Sequence, residues 1–532
     1  MCGIAVAVSW PNARDVIAQL VQGIFHRGDI TDPIFSPKNN IAMCTRRLRI
    51  VDADNAVQPQ LSHDGRIAVS FNGELYNYRE LRQELVAAGV RFKTESDTEV
   101  LANALRLWGP AALERMVGMY AFVAIDIETG DFIAARDPFG VKPLYLIQTE
   151  FGLIFCSEIR PLLNTIETGD VLLLPPGYML TREKCCRFKS PLHTFHNPIA
   201  AGSVRALDRL LAEAVHKRIP GELPVALMFS GGIDSTLVTH YTRQVRPNAP
   251  GYFAGSVDAP DYRYAAEYAE LTKLDLRVVP FDPESDDAFA QIGRVVEVTE
   301  SFEPSLLRGA AHSLAAAEQM HRDGFRVAMC GEGADELFCG YAPLEIAFSN
   351  DIAAGCEIRN ECLDLMNRVN LQRVDRCSMR YQIEMREPFL DPAVANYALN
   401  LGASALVRDV NGKAMGKAAL RDVYNLYPDT LPASIRDRTK VPFGATAIRE
   451  EASEDLSWKA RFEEALSDRD LFEGKMEFEG FAIESKEELY YLRKLSRVMN
   501  LQRVPHLRGR AWISFPVGKY AEQLKAYKHY AV

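Results

Sequence analysis

The chain has 532 residues, of which 48% are hydrophobic and 25% charged, and it carries a formal net charge of −10. That length exceeds what one hydrophobic core supports and predicts roughly two to four domains of ordinary globular composition. The acidic balance argues against a nucleic-acid partner, and the lack of about eighteen consecutive apolar residues argues against a membrane span. Without a signal peptide, the chain is expected to be cytoplasmic. Its ten cysteines form no C-x-x-C pair, so neither disulfides nor zinc is expected.

The first part of the chain is predicted to contain short strands and hairpins with a few helices between them. An apolar run at residues 3–9 has the length of a strand. Apolar residues at helical spacing predict helices at 78–88 and 98–107. Turn residues between short apolar runs predict hairpins at 120–136 and 144–157. These elements predict a layered α/β domain with a largely antiparallel sheet.

A polar stretch with proline and histidine follows, and residues 187–200 are predicted to link a domain at 1–186 to a second domain at 201–532. Apolar strands alternate with helices up to about residue 330, which predicts a doubly wound parallel sheet followed by a mainly helical part. The predicted strands lie at 225–229, 251–256, 276–280 and 326–329, and the first helices at 204–217 and 235–243. The tail at 507–532 has no predicted role.

Cys2 stands directly after the initiator methionine. Removal of Met1 is expected because cysteine is small, and it would leave a thiol and a free α-amine on one residue. The thiol can attack a carbonyl while the amine, with a pKa of about 7.7–8.0, carries the proton. The position of Cys2 therefore predicts an amino-terminal nucleophile.

Residues 230–235 follow a predicted buried strand and begin a helix. Adjacent glycines and an exposed helix amino terminus favour binding of phosphate, and an aspartate there suits Mg²⁺ that bridges phosphates. The segment lacks the Gly-Lys-Ser/Thr ending of a Walker A loop. It predicts a loop that binds ATP and releases pyrophosphate, with the residues Ser230, Gly231, Gly232, Asp234 and Ser235.

Together with residues 1–4, this loop resembles the asparagine synthetase family, in which a class II glutamine amidotransferase domain is joined to an ATP pyrophosphatase-type synthetase domain. The resemblance extends from Cys2 to about Phe443. It implies an α/β fold, with an Ntn-type αββα antiparallel sandwich followed by a doubly wound adenylating domain and a helical carboxy-terminal part. It also implies an AMP-forming ligase and, as the usual assembly of the family, a homodimer.

In the first domain, the resemblance implies a complete glutamine site. Arg47 would hold the carboxylate of glutamine, since a guanidinium binds a carboxylate bidentately. Asn72 and Gly73 would form the oxyanion hole, where donors are worth several kcal/mol each. Glu74 and Asp97 would hold the α-ammonium group of the substrate.

One departure from the family pattern stands in the loop after the first predicted helix. Asp29 directly follows Gly28, where the family usually has proline and then aspartate. A different shape of this loop is therefore expected.

In the second domain, the resemblance assigns roles to a second acidic loop and to one lysine. Gly331 would lie against ATP, and Glu332 would be the base that takes a proton from the attacking ammonia. Asp335 would join Asp234 around Mg²⁺, since two acidic loops beside a polyphosphate need a cation between them. Lys440 would stabilise charge on the phosphate and the adenylate. The blocks at 375–379 and 384–391 are expected to form a wall of the site.

The acceptor site fits the family less well. Ser305 and Arg308 match residues that recognise aspartate, whereas Leu306, Cys330 and Cys339 replace polar or small residues. Loss of hydrogen-bond partners changes specificity strongly. Aspartate is therefore the leading acceptor, and another carboxylate is the alternative.

The sequence thus predicts a two-site enzyme. Cys2 hydrolyses glutamine through a thioester, and ammonia carried inside the protein amidates a carboxylate that ATP and Mg²⁺ have adenylated. A different carboxylate of specialised metabolism remains an alternative acceptor. An ammonia-independent β-lactam or amide synthetase is less favoured, because such relatives lack the terminal cysteine. A non-catalytic member is disfavoured by the joint presence of Cys2, Asn72, Asp234, Glu332 and Lys440.

Overall fold

The computed structural model describes residues 2–190, 203–282, 285–410, 412–438 and 458–509. No helix in these described segments is long and apolar enough to cross a membrane. Residue 187 belongs to a strand, so the predicted linker begins later than expected, and its residues 191–200 lie outside the described segments.

The amino-terminal region is built from short strands with a few helices, as predicted. Its strands are β1 (Cys2–Val8), β2 (Ile30–Thr31), β3 (Phe35–Lys38), β4 (Ile41–Arg47), β5 (Gln60–Leu61), β6 (Ile67–Leu75), β7 (Gly118–Asp126), β8 (Phe132–Arg136), β9 (Tyr145–Thr149), β10 (Gly152–Cys156), β11 (Val171–Leu173), β12 (Tyr178–Thr181) and β13 (Cys185–Arg187). Its helices are α1 (Ala13–Gly23), α2 (Tyr78–Ala87), α3 (Asp97–Trp108), α4 (Ala112–Arg115) and α5 (Ile159–Thr165).

The strands form two antiparallel sheets rather than the single sheet that the pattern suggested. The first has the order β11-β9-β10-β1-β4-β2, with β3 also paired to β4, and the second has the order β13-β12-β8-β7-β6-β5. Strand β1 shows why two layers form. Ile4 and Val6 face the core between the sheets, whereas Ala5 and Ala7 face the helix side. Both faces are therefore buried, and the strand is continuously apolar.

Helices cover the outer face of each sheet. In the first sheet, Ile17 and Leu20 of α1 pack with Ala5. In the second sheet, Phe122 packs with Leu101 of α3. The result is the αββα sandwich that the family resemblance implied.

The carboxy-terminal region contains a parallel sheet and many helices. Its strands are β14 (Val225–Met228), β15 (Gly251–Ala254), β16 (Leu276–Val279), β17 (Val327–Met329), β18 (Glu384–Arg386), β19 (Val407–Val410) and β20 (Lys413–Gly416). The helices of the sheet layer are α6 (Val204–His216), α7 (Ile233–Val245), α8 (Tyr262–Thr272), α9 (Asp286–Ala290), α10 (Ile292–Thr299) and α11 (Pro304–Arg322). The later helices are α12 (Ala334–Leu337), α13 (Ala342–Asn350), α14 (Ile352–Leu365), α15 (Asn370–Met379), α16 (Pro392–Leu399), α17 (Ala403–Leu406), α18 (Ala418–Tyr424), α19 (Ala433–Asp437), α20 (Trp458–Ala465), α21 (Asp468–Glu477) and α22 (Lys486–Ser496).

The strand order of the parallel sheet indicates where a ligand crevice lies. The order is β16-β15-β14-β17-β18, so the chain reverses its direction of growth between β14 and β17. Ligands of doubly wound sheets bind at the carboxyl ends of the strands at this reversal. The loops at 230–235 and 331–336 leave the sheet there.

Strand β18 was not predicted, because Glu384 and Arg386 are charged and sequence favours apolar residues in a buried parallel strand. It pairs with β17, with Met329 opposite Arg386. Both charged residues are almost fully buried and bond to each other, with Arg386 Nε 2.7 Å from Glu384 Oε1. An internal ion pair thus replaces the expected apolar pattern.

The two regions meet through a seam of buried charges. The fully buried Arg27 donates two hydrogen bonds to Asp375, at 2.9 and 3.0 Å, and one to Glu158, at 3.1 Å. Arg376 lies 2.9 Å from Glu158 and donates to Glu300 at 2.7 Å. Because lone buried charges are costly, these pairs fix how the regions dock.

We expect Asp375→Ala to destabilise the protein by about 3–5 kcal/mol, because it leaves the buried Arg27 without its bidentate partner. Thermal or urea unfolding measures the change. The matched control is Asp422→Ala, which removes an exposed pair with Arg408 and should cost less than about 1 kcal/mol. Equal effects of the two substitutions would contradict a structural role for the seam.

Candidate active sites

Cys2 lies at the start of β1 and is 6% exposed. Its backbone N–H donates to Asn72 Oδ1 at 2.9 Å, and its register partner on β4 is Arg47. Burial raises the pKa of the Cys2 thiol to about 11. The thiol is therefore protonated at neutral pH, and attack on a carbonyl requires a base to accept its proton.

Asn72 and Gly73 lie side by side on β6, next to this thiol. Asn72 is fully buried, and its Nδ2 has no hydrogen-bond partner among the described residues. At Gly73, a Cβ atom would lie 2.2 Å from the carbonyl oxygen of Met119, so only glycine fits. A free amide donor beside the thiol suits stabilisation of an oxyanion.

Asp32 positions Arg47, and sequence reasoning missed it. Arg47 Nε donates to Asp32 Oδ2 at 2.9 Å and its Nη2 to Asp32 Oδ1 at 3.1 Å, while Nη1 donates to the carbonyl of Ala53 at 2.8 Å. Arg47 and Asp32 are both buried. A buried arginine requires a carboxylate, but nothing in the sequence distinguished Asp32 from the neighbouring Asp29.

The structure also explains the departure at Asp29. Arg49 Nε donates to Asp29 Oδ2 at 2.9 Å, and Arg326 of the second region lies 3.4 Å from the same oxygen. Asp29 therefore joins the contact between the regions.

Glu74 and Asp97, the residues assigned to the α-ammonium group, lie at the end of β6 and the start of α3. Leu75 N–H donates to Asp97 at 3.0 Å, and Arg386 Nη2 donates to Glu74 at 3.0 Å. Burial raises the pKa of Glu74 to about 8, against the opposing charge of Arg386. Burial likewise raises the pKa of Asp97 to about 6. A bound ammonium group would favour the ionised form of both.

The loop after β14 has the geometry of an anion-binding turn. Gly231 has a φ of 67°, and a Cβ atom there would lie 2.6 Å from the backbone nitrogen of Ala265. The hydroxyl oxygens of Ser230 and Ser235 are 3.2 Å apart, and helix α7 begins directly after Gly232. The loop lines a pocket with an empty volume of about 560 Å³.

Lys417 lies between the two aspartates that were predicted to hold Mg²⁺, and sequence reasoning missed it. Its Nζ is 2.5 Å from Asp234 Oδ2 and 2.5 Å from Asp335 Oδ1. Lys417 is 1% exposed, with a left-handed φ of 57° before α18. Lys417 thus pairs with both carboxylates, whose oxygen donors are of the kind that Mg²⁺ prefers. A single lysine in a helical stretch gave no signal in the sequence.

Glu332 follows β17 and is paired with Arg373 of α15. Gly331 allows the two loops to touch, since a Cβ atom there would lie 2.7 Å from Asp234 Cβ. The second acidic loop therefore packs against the first, as the strand order requires. Lys440 lies outside the described residues.

The residues assigned to the acceptor site already have protein partners. Ser305 donates to Glu303 at 3.1 Å, and Arg308 Nε donates to Glu487 of α22 at 3.0 Å. Leu306 is fully buried in a hydrophobic cluster. The prediction that Leu306 removes a hydrogen-bond partner from the acceptor pocket is therefore wrong, because its side chain lies in the core.

Cys330 and Cys339 give the same result. They are 4% and 0% exposed and belong to two hydrophobic clusters. As small apolar residues they fill the interior, so their sequence departure reflects packing. All ten cysteines are free.

The buried Glu74 carboxyl should make stability depend on pH. Its pKa in the folded protein is above the ordinary 4.5, so its contribution is full below about pH 4.5 and is lost as the pH rises through about 8. We expect the stability of the wild type, relative to Glu74→Gln, to fall by up to about 1.4 kcal/mol per pH unit in this window. Urea unfolding at several pH values measures it, and Glu80→Gln, on the exposed face of α2, is the control. A difference independent of pH would contradict this result.

Comparisons with known proteins identify the family of each of the two regions. A sequence model described as a glutamine amidotransferase domain matches residues 1–174, and one described as asparagine synthase matches residues 206–355 and 357–511. A protein of Schizosaccharomyces pombe named "probable asparagine synthetase (glutamine-hydrolyzing)" is 27% identical over 484 residues, covering 83% of this chain and 84% of its own. Asparagine synthetase 1 of Arabidopsis thaliana is 26% identical, covering 78% of this chain and 72% of its own. Asparagine synthetase of Triphysaria versicolor is also 26% identical, covering 92% and 85%. The chain belongs to the asparagine synthase family, a family of ligases.

Proposed function

We propose that this chain is a glutamine-dependent asparagine synthetase that converts aspartate to asparagine. The main support for this proposal is the structural connection between the two sites. Arg386 donates to Glu74 at 3.0 Å, while its own carbonyl accepts from the N–H of Cys330 at 3.1 Å. Cys330 directly precedes the loop with Glu332. Strand β18 thus contacts the glutamine site, where ammonia would be released, and the segment before Glu332, where ammonia would react.

The first half-reaction takes place at Cys2. The thiol of Cys2 attacks the side-chain carbonyl of glutamine, and the α-amine of the processed residue accepts the proton. Negative charge on the carbonyl oxygen is stabilised by Asn72 Nδ2 and the N–H of Gly73. Ammonia leaves as the thioester forms, and water then releases glutamate.

The substrate of this half-reaction is held at both ends. Arg47, oriented by Asp32, binds the α-carboxylate of glutamine. Glu74 and Asp97 bind its α-ammonium group. This arrangement distinguishes an amino acid from a simple amide.

The second half-reaction uses the pocket at the reversal of strand order. The phosphates of ATP lie on the loop at 230–235, and the β-carboxylate of aspartate attacks the α-phosphorus with release of pyrophosphate. Asp234 and Asp335 would hold Mg²⁺, which neutralises charge on the phosphates when bound. Lys417 supplies a positive charge in the same place, and Lys440 is assigned this role by the family resemblance.

Ammonia then attacks the acyl-adenylate carbonyl, Glu332 takes a proton from it, and AMP leaves. Internal transfer of ammonia is chemically favoured, because ammonium, the dominant form in neutral water, has no lone pair. A homodimer and a cytoplasmic location stay predictions, as do the domain bounds 1–186 and 201–532.

Another carboxylate is the second candidate acceptor, and one observation favours it. Arg308, which would bind the α-carboxylate of aspartate, is held by Glu487, and Glu487 is 4% exposed and also accepts from Tyr491 at 2.9 Å. Aspartate binding requires that Arg308 use its remaining Nη1 or leave Glu487. An acceptor without an α-carboxylate requires neither.

The test of the acceptor is pyrophosphate release from ATP with glutamine and Mg²⁺, comparing aspartate with a panel of other carboxylic acids. We expect aspartate to give the highest kcat/KM, with asparagine identified by mass spectrometry. Release with another acid and none with aspartate, while glutamine is still hydrolysed, would overturn the aspartate assignment and support the second candidate.

Cys2→Ala should lower glutamine hydrolysis by about 10³-fold or more, because it removes the nucleophile. Synthesis driven by added ammonium salts should persist, because the second site is separate. Glutamate and pyrophosphate are measured in parallel, and Cys185→Ala, an exposed cysteine, is the control. Loss of ammonia-driven synthesis in a folded Cys2→Ala variant would contradict the two-site division.

A further inference from the structure

Four polar atoms lie buried where the two regions meet, each without a hydrogen-bond partner among the described residues. They are Tyr76 Oη, Lys142 Nζ, Arg218 Nε and Glu387 Oε1. Lys142 is 0%, Glu387 2% and Arg218 3% exposed. Buried polar groups are almost always satisfied. Several in one place therefore indicate a site for a small polar molecule.

The four residues are neighbours. The guanidinium of Arg218 lies 4.2 Å from the ring centroid of Tyr76. The charges of Lys142 and Arg218 both act on the carboxyl of Glu387, and that of Glu387 acts on Tyr76. We call Tyr76, Lys142, Arg218 and Glu387 the interface cluster.

The interface cluster lies between the two half-reactions. Glu387 directly follows Arg386, which donates to Glu74 in the glutamine site. The charge of Glu387 also acts on the thiol of Cys330, as does that of Glu332. Glu387 therefore stands next to a residue that contacts both the glutamine site and the segment before Glu332.

The surrounding charges already have partners, which leaves Glu387 as the open acceptor. Asp391 accepts from Arg218 Nη1 at 2.8 Å. Asp375 accepts two hydrogen bonds from Arg27. Asp137, the other acidic neighbour, accepts backbone N–H groups of its own loop.

Lys142 is the open donor. Its Nζ is 3.9 Å from Asp375 Oδ1, which is too far for a hydrogen bond. Burial raises the pKa of Glu387 to about 7, against the lowering effect of Lys142 and Arg218. The carboxyl is thus poised to accept or to donate near neutral pH.

We propose that Glu387, Lys142 and Tyr76 form a binding site for neutral ammonia between the two active sites. This inference rests on the proposed function. Neutral ammonia has one lone pair and three N–H groups. Its lone pair accepts from Lys142 Nζ, and its N–H groups donate to Glu387 Oε1 and Tyr76 Oη. No proton is transferred.

The same cluster discriminates against ammonium. Ammonium has four N–H groups and no lone pair, so it cannot accept from Lys142. Lys142, whose Nζ has no hydrogen-bond partner among the described residues, also repels it. The cluster therefore holds the nitrogen in the form that attacks a carbonyl.

The test measures whether the nitrogen of the amide product comes from glutamine or from ammonium in the buffer. The full chain turns over glutamine labelled with nitrogen-15 in its amide, with excess unlabelled ammonium in the buffer, ATP, Mg²⁺ and aspartate or the acid that the acceptor panel selects. Mass spectrometry measures the labelled fraction of the amide product. Because this fraction is a ratio within one product, a change in the overall rate does not enter it.

We expect a high labelled fraction for the wild type and a fraction lower by about threefold or more for Glu387→Val, which removes the acceptor. Glu387→Gln keeps one acceptor oxygen and should lie between them. Tyr76→Phe, which removes only the hydroxyl, provides a second variant if Glu387→Val does not fold. Glu361→Gln, on the exposed face of α14, is the control and should equal the wild type.

A labelled fraction in Glu387→Val and Tyr76→Phe equal to that of the wild type would overturn the proposal and leave water as the molecule in the cluster. Full dilution of the label in the wild type would also overturn it, because ammonia would then leave the protein. Failure of the wild type to form any amide would instead contradict the proposed function, so the two failures are distinct.

Discussion

The buried guanidinium of Arg27 is the interaction on which the rest of the structure depends. It is held by Asp375 of the second region and Glu158 of the first. Burial by itself raises the pKa of Asp375, but Arg27 and Lys142 outweigh it and hold that pKa below its usual value. Since an unpaired buried charge costs several kcal/mol, only one relative placement of the two regions satisfies all three groups.

This constraint also acts on the nucleophile. Arg27 Nε donates to the backbone carbonyl of Cys2 at 3.2 Å, so the residue that joins the regions also fixes the start of β1. Strand β18 adds a second connection, through Arg386 and Glu74. The glutamine site is therefore partly built by the second region, and a change in docking would alter both sites together.

The carboxy-terminal helices bind the two regions further. Leu489 of α22 and Leu306 of α11 share one hydrophobic cluster with Trp10 of the amino-terminal region. The same helix α22 supplies Glu487 to Arg308. Arg308, which the family resemblance assigns to the acceptor site, is thus held by a segment far from it in the sequence.

Much of the fold followed from the sequence, because local patterns encode it. Burial of both faces makes β1 a continuous apolar strand, which the sequence shows directly. The adjacent glycines predicted a tight loop after β14, and Gly231 there has a positive φ. The grouping of Asp234 with Asp335 also followed, because the ends of neighbouring parallel strands must meet. The assignment of Cys2 as the nucleophile rests on its position alone and stays a prediction.

The groups that complete the sites came only from the tertiary structure. No motif surrounds the charged residues Asp32, Lys417 and Glu487. From the sequence alone, many other charged residues could equally have paired with Arg47, Asp234 or Arg308. Leu306 was misread for the same reason, since no local pattern says whether a helical residue faces a pocket or the core. The sequence by itself determined the two chemistries and the order of their elements, because these depend on local periodicity and motif. Tertiary structure decided which charges are paired and which, such as Glu387 Oε1, have no hydrogen-bond partner in the described part of the chain, because pairing depends on distances between segments far apart in the chain.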